Sequence, residues 1–214
     1  ERARKAEAQG RTFEAQGYWA QAEVRADSVV VRHPTSSWAD DANLIRGEAM
    51  VNRRDCAGAI PALEAASLSR DSPNVAQRAL LLLGSCYLAA GNLEGADRAF
   101  AELTESPDST VRYQARLEHA RILRMQGQYG AALVTLDGLQ DTAAIAERAA
   151  DLAGLGNLAQ VEPLIDQALA RKDLSMPWDS ILAGIGRVDP GLASQYTSAV
   201  VALPGLAPEA RDQM

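Results

Sequence analysis

Side chains able to carry chemistry are scarce in this chain. Of its 214 residues two are histidine and two cysteine, and aromatics make up 5%. His33 precedes Pro34 at a helix end, and His119 occupies a position that is apolar in the neighbouring segments. Neither pair has the close spacing that a zinc site or a histidine-driven triad needs. No metal, no cofactor and no catalytic residue is therefore read from the chain, and it is taken not to be an enzyme. Long apolar runs are missing as well: Leu80–Leu83 is a short run inside an amphipathic helix, far below the ~18 residues of a membrane span. Valine, isoleucine and threonine never alternate as strands require, which leaves an all-α chain. Positive charge is in deficit. A net charge of −7 and a pI near 4.9 argue against nucleic acid or anionic lipid as a partner, since both need a cationic field. The opening Arg2, Arg4 and Lys5 alternate with Glu1 and Glu7, as on a solvated helix face.

What the chain does have is a repeat. Gly17-Tyr-Trp19-x-x-Ala22, Arg54-Asp-Cys56-x-x-Ala59, Gly91-Asn-Leu93-x-x-Ala96 and Gly127-Gln-Tyr129-x-x-Ala132 follow one another at near-constant spacing. Gly156-Asn-Leu158-x-x-Val161 comes after a shorter interval. Fixed-period self-similarity of this length marks stacked helical hairpins. The third copy is the cleanest. Leu80, Leu83, Gly84 and Tyr87 lie on one face of a first helix, Gly91 makes the turn, and Leu93, Ala96, Phe100 and Leu103 face back from a second. Small residues at Gly84 and Ala96 mark the closest approach of the two helices.

Other motifs reduce to the same grammar. Gly154-x-Gly156 and Gly184-x-Gly186 follow no strand, so neither is a phosphate loop. Glu94, Asp97, Glu102 and Glu105 are read as a solvated outer face. Pro163 is expected to delay its helix to about Glu162 or to kink it. Ser37, with Asp40 three residues on, reads as a helix N-cap. Beyond Leu174 the register fades into a degenerate pair, one helix over Met176–Gly186 and another capped by Asp189 and opened by Pro190. Trp178, Ile181, Leu182, Ile185, Tyr196, Val200 and Leu203 give this pair an apolar face that covers the end of the solenoid. Pro208–Met214 reads as the start of a further helix, and the chain as a mature or trimmed fragment.

Over residues 3–172 this small–aromatic–Gly–aromatic–Ala–Pro series resembles the tetratricopeptide (TPR) repeat, with a period two or three residues longer than the family's usual one. The resemblance implies a right-handed α-α superhelix of about five helix pairs (3–36, 40–73, 77–110, 113–141 and 142–172), followed by the degenerate pair at 173–214. It also implies a concave face that binds a partner protein or peptide. The residues placed on that face by register are Leu44, Glu48 and Val51, then Leu81, Ser85 and Leu88, then Leu117, Arg121 and Arg124. Repeat five offers Ala146, Ala150 and Ala153 there, and repeat one Arg4, Glu7, Arg11 and Glu14. The row is charged at one end, apolar in the middle, and has a basic step at Arg121 and Arg124. In such a stack Cys56 and Cys86 come level on adjacent antiparallel helices; a disulfide and two buried thiols both fit.

Pro34-Thr-Ser36-Ser37-Trp38-Ala39-Asp40 looks like the linker between repeats of bacterial cell-envelope TPR proteins, of the outer-membrane β-barrel assembly lipoprotein and Tol–Pal-associated periplasmic types. Pro107-Asp-Ser109 with Tyr113-Gln-Ala115 is a looser copy. That likeness implies a non-enzymatic periplasmic scaffold, outer-membrane-anchored through a lipid upstream of residue 1. The alternatives are a cytoplasmic TPR adaptor or regulator arm, and the helical arm of an envelope enzyme such as a lytic transglycosylase.

Overall fold

Turns of one geometry recur along the chain. The computed structural model describes residues 1–205, and the helix start expected from Pro208 lies outside them. Its helices are α1 (Arg2–Ala8), α2 (Thr12–Arg32), α3 (Ala39–Asn52), α4 (Cys56–Ser67), α5 (Pro73–Ala89) and α6 (Leu93–Ala101). They continue as α7 (Ser109–Met125), α8 (Tyr129–Thr135), α9 (Thr142–Gly154), α10 (Leu158–Arg171), α11 (Trp178–Gly186) and α12 (Pro190–Val201), with no strand among the described residues. The chain divides after Ala115 into two compact units, and α7 crosses the division.

Each of the first five hairpins closes on a residue with positive φ: Gly10 (70°), Arg54 (65°), Gly91 (72°), Gly127 (76°) and Gly156 (71°). The N–H of the next residue then donates back across the turn: Arg11 to the Ala6 carbonyl, Asp55 to Met50, Asn92 to Tyr87, Gln128 to Leu123 and Asn157 to Leu152, all at 2.8–2.9 Å. This is the Schellman arrangement, which satisfies carbonyls that the helix end would otherwise orphan. Arg54 is the one side chain among the five turn residues, and the left-handed region costs an L-residue roughly 1–2 kcal/mol. Arg54→Gly removes that strain and adds backbone freedom to the unfolded chain, so a net gain of about 0.5–1 kcal/mol is expected. A urea midpoint at or below that of the unmodified protein contradicts it.

The turns also fix the register, and here the first repeat differs from expectation. Gly17 lies inside α2; the turn is at Gly10, seven residues earlier. With Gly10 as origin the repeat becomes regular. A small residue seven before the turn faces a large one nine after it, and between them, five after the turn, stands an alanine, or valine in the fifth hairpin. The sets are Ala3, Ala15 and Trp19; Gly47, Ala59 and Leu63; Gly84, Ala96 and Phe100; Ala120, Ala132 and Leu136; Ala149, Val161 and Ile165, and all of these residues are buried. The pairing is steric. A Cβ on Gly47 would sit 2.5 Å from the Leu63 side chain, and one on Gly84 would sit 2.6 Å from the Phe100 ring. Seven residues are close to two helical turns, so a slip of that size leaves every apolar residue on its own face. That is why Gly17-Tyr-Trp19-x-x-Ala22 imitates the motif without forming the turn.

In the first unit α1 packs on α2, α2 on α3, α3 on α4, α4 on α5 and α5 on α6. Cys56, at the first position of α4, is disulfide-bonded to Cys86 on α5, with Cα atoms 5.0 Å apart. The bridge ties the second hairpin to the third beside a core of Leu44, Leu63, Val75 and Leu83. In the second unit α9 packs on α8, α10 and α11, and α11 packs on α12. Trp178, Ile181, Leu182, Ile185, Tyr196, Val200 and Leu203 are all buried there, in one cluster with Val161 and Ile165. Gly184 lies inside α11, where a Cβ would come within 2.6 Å of the Ala153 carbonyl. Its smallness serves helix crossing.

Two local expectations are corrected. The α10 helix starts at Leu158, not near Glu162, and carries Pro163 as its sixth residue, as α4 carries Pro61. The missing N–H would have paired with the carbonyl of Ala159 or Ala57, both solvent-exposed residues, so water can replace each lost bond. Ser37 does not cap α3. Trp38 is the N-cap, no side chain caps it, and Ala39 N–H donates to the Ser36 carbonyl at 3.0 Å. Asp40 and Asp41 still place negative charge in the first turn. Asp189 does cap α12, accepting from Leu192 N–H at 2.9 Å.

Candidate functional site

The first helix of each hairpin carries the residues assigned to partner binding, and stacking changes what several of them can do. In the first unit Leu44 is 8% exposed and belongs to the core described above. Val51 packs partly against the same cluster. Glu48 is buried and holds two arginines. Arg4 donates through Nε and Nη2 at 2.5–3.0 Å, and Arg78 through Nη2 at 2.5 Å. One carboxylate on α3 thus bolts α1 and α5 to it, with both guanidinium groups about half exposed. Such a pairing offsets the cost of burying Glu48. Leu81 and Leu88 on α5 are half-buried, and Ser85 between them is exposed with its hydroxyl donating to the Leu81 carbonyl.

Repeat one contributes differently from expectation. Glu7 accepts from Trp19 Nε1 at 2.6 Å, which pins α1 to α2. Arg11 and Glu14 pair with each other at the turn and the start of α2, off the first helix.

In the second unit the basic step is already neutralised. Arg121 binds Glu147 and Glu118, both at 2.7 Å. Arg124 binds Glu147 at 2.5 Å and Asp151 at 3.3 Å. Leu117 is 8% exposed. Glu147 and Asp151 come from α9, one turn apart and between the positions Ala146, Ala150 and Ala153 that the register assigned. Arg121 and Arg124 therefore clamp two first helices together. Burial pushes the Asp151 carboxyl up to about 7, against the opposing pull of Arg124, and Glu147 adds to the rise. Among the described residues its Oδ2 has no hydrogen-bond partner.

In the first unit a groove of about 960 Å³ opens between α1, α2 and α3. Its lining includes Trp19, Ala22, Ala26 and Val29 of α2, with Trp38 and Ile45 from the neighbouring segment. Trp38 is 70% exposed and Ile45 43%. Arg4, Arg25 and Asp41 also line it. Such a channel suits a short helix or extended segment with apolar anchors and charged flanks. The sequence pattern hides it because Gly17 imitates the hairpin turn; the turn is at Gly10, and α2 runs unbroken from Thr12 to Arg32. Among the described residues no group of three His, Cys, Asp or Glu side chains is placed to hold a metal. No described helix is long and apolar enough to cross a membrane.

Residues 78–109 match the tetratricopeptide repeat family model. They cover most of α5, the Gly91 turn, α6 and the Pro107-Asp-Ser109 segment. No curated protein matches the chain significantly.

Proposed function

We propose that this chain is a non-enzymatic protein–protein interaction scaffold of a bacterial cell envelope, and that it receives a partner segment in the groove along α2. The groove carries the reading: it is preformed, its lining is partly apolar, and it is edged by charge of both signs. The tetratricopeptide match in the third hairpin supports the scaffold role. The Cys56–Cys86 disulfide supports an exported, periplasmic setting, because such bonds persist where the compartment is oxidising.

The test is a photo-crosslinking residue at Ile45, compared with one at exposed Glu94 on α6, in cells of the source organism. Ile45 is expected to capture a discrete partner that Glu94 does not, and Ile45→Glu to weaken that capture about tenfold with the thermal melt unchanged. Equal labelling at both positions rejects the groove. Alkylation of protein taken directly from cells tests the compartment: two reactive thiols return the chain to the cytoplasmic alternative.

A further inference from the structure

The long helix α2 has a second apolar face, turned away from its own unit. At 100° per residue, Ala15, Trp19 and Ala26 point inward, while Phe13, Gly17, Ala20, Val24 and Val31 form a seam on the opposite side. Phe13 is 93% exposed, Val24 67% and Val31 72%. Steps of four and three residues make this seam a coiled-coil edge about 27 Å long. Scattered apolar residues are ordinary on a surface, but a row that keeps this register along one helix, interrupted at Asp27, is not.

From the symmetry and charge of this seam we infer that it is the contact between two copies of the chain, packed through antiparallel α2 helices about a two-fold axis. The sequence is self-complementary about Ala22. An antiparallel two-fold sets Phe13 of one copy against Val31 of the second, and Ala20 against Val24, each layer occurring twice. The remaining layer sets Gly17 against Asp27, whose carboxylate points to Arg46 of its own chain at 3.5 Å; the glycine leaves it room. Charge agrees with the same operation. Glu14 and Arg32 both lie 100° from the seam on one flank, near opposite ends, so the axis brings Glu14 of each copy beside Arg32 of the other. The Arg11–Glu14 pair is exposed, about half of each side chain being open to solvent, and is readily exchanged.

An interface of this size sits at the weak end, with dissociation constants on the order of micromolar. Sedimentation velocity of the whole chain over a concentration series reads it directly. A concentration-dependent monomer–dimer equilibrium is expected, weakened about tenfold or more by Phe13→Glu. Glu14→Arg should also weaken it, and Glu14→Arg combined with Arg32→Glu should restore it. All these positions are exposed, so circular dichroism melts should not move. A monomer at every concentration overturns the inference, as does a dimer indifferent to Phe13→Glu or a double charge reversal that fails to restore association. Binding of the chain to anionic lipid vesicles, abolished by Phe13→Glu, overturns it too, because the seam would then serve a membrane.

Discussion

Replacing Cys56 and Cys86 together by alanine is expected to destabilise the protein by about 3–4 kcal/mol. The bridge closes a loop of 30 residues, and in the chain-entropy account that closure removes this much freedom from the unfolded state. The native cost of the change is small. Cys86 is fully buried among apolar side chains and Cys56 packs partly against the same cluster, so alanine leaves no unsatisfied polar group. Because the bond joins α4 to α5, its loss should also loosen the second hairpin from the third. Urea unfolding of the oxidised protein, the reduced protein and the double variant decides the matter. The last two should share a midpoint well below the first; three coincident curves rule the bridge out as a stabilising element.

The third hairpin was the easiest part to read in the sequence, and the reason is physical. Gly84, Gly91, Ala96 and Phe100 each serve a steric need within one pair of helices, so the signal is local. The first hairpin carries the same signal in Ala3, Gly10, Ala15 and Trp19. A second glycine at Gly17, close to two helical turns further on, offered a competing register with the same apolar face. Only the closure of the turn at Gly10 separates them.

The candidate site was harder because its properties arise between hairpins. Arg121 and Arg124 look like a free basic step until α9 places Glu147 and Asp151 against them. Leu44 looks solvent-facing until the third hairpin brings Val75 and Leu83 over it. Glu48, read as a groove carboxylate, is consumed by Arg4 and Arg78. The groove along α2 follows from the corrected register of the first hairpin, which makes α2 one continuous helix over Thr12–Arg32. Position within a repeat was therefore legible, whereas the chemistry contributed by the next repeat was not.

The clamp between α7 and α9 should make stability depend on pH, with a sign opposite to that of an ordinary paired carboxylate. Asp151 is fully buried and its carboxyl is raised from 3.8 to about 7. The folded protein thus holds a proton that the unfolded chain releases, and stability falls as pH rises from about 4 to about 7, levelling off above. Asp151→Asn removes that proton and should raise stability at pH 8 by roughly 1–4 kcal/mol, with little change near pH 4. Arg124→Ala acts the other way. It strips Asp151 of its ion pair with Arg124 and leaves Glu147 its pair with Arg121. A loss of about 3–5 kcal/mol is expected at pH 8, smaller near pH 5 where Asp151 is neutral. Adding Asp151→Asn to Arg124→Ala should recover part of the loss at pH 8, because one uncompensated charge is gone. Urea denaturation of the four proteins from pH 4 to pH 8 measures all of this. If Asp151→Asn keeps the slope of the unmodified protein, another group carries the pH dependence. If Arg124→Ala loses the same amount at every pH, its cost is packing and Asp151 plays no part in it.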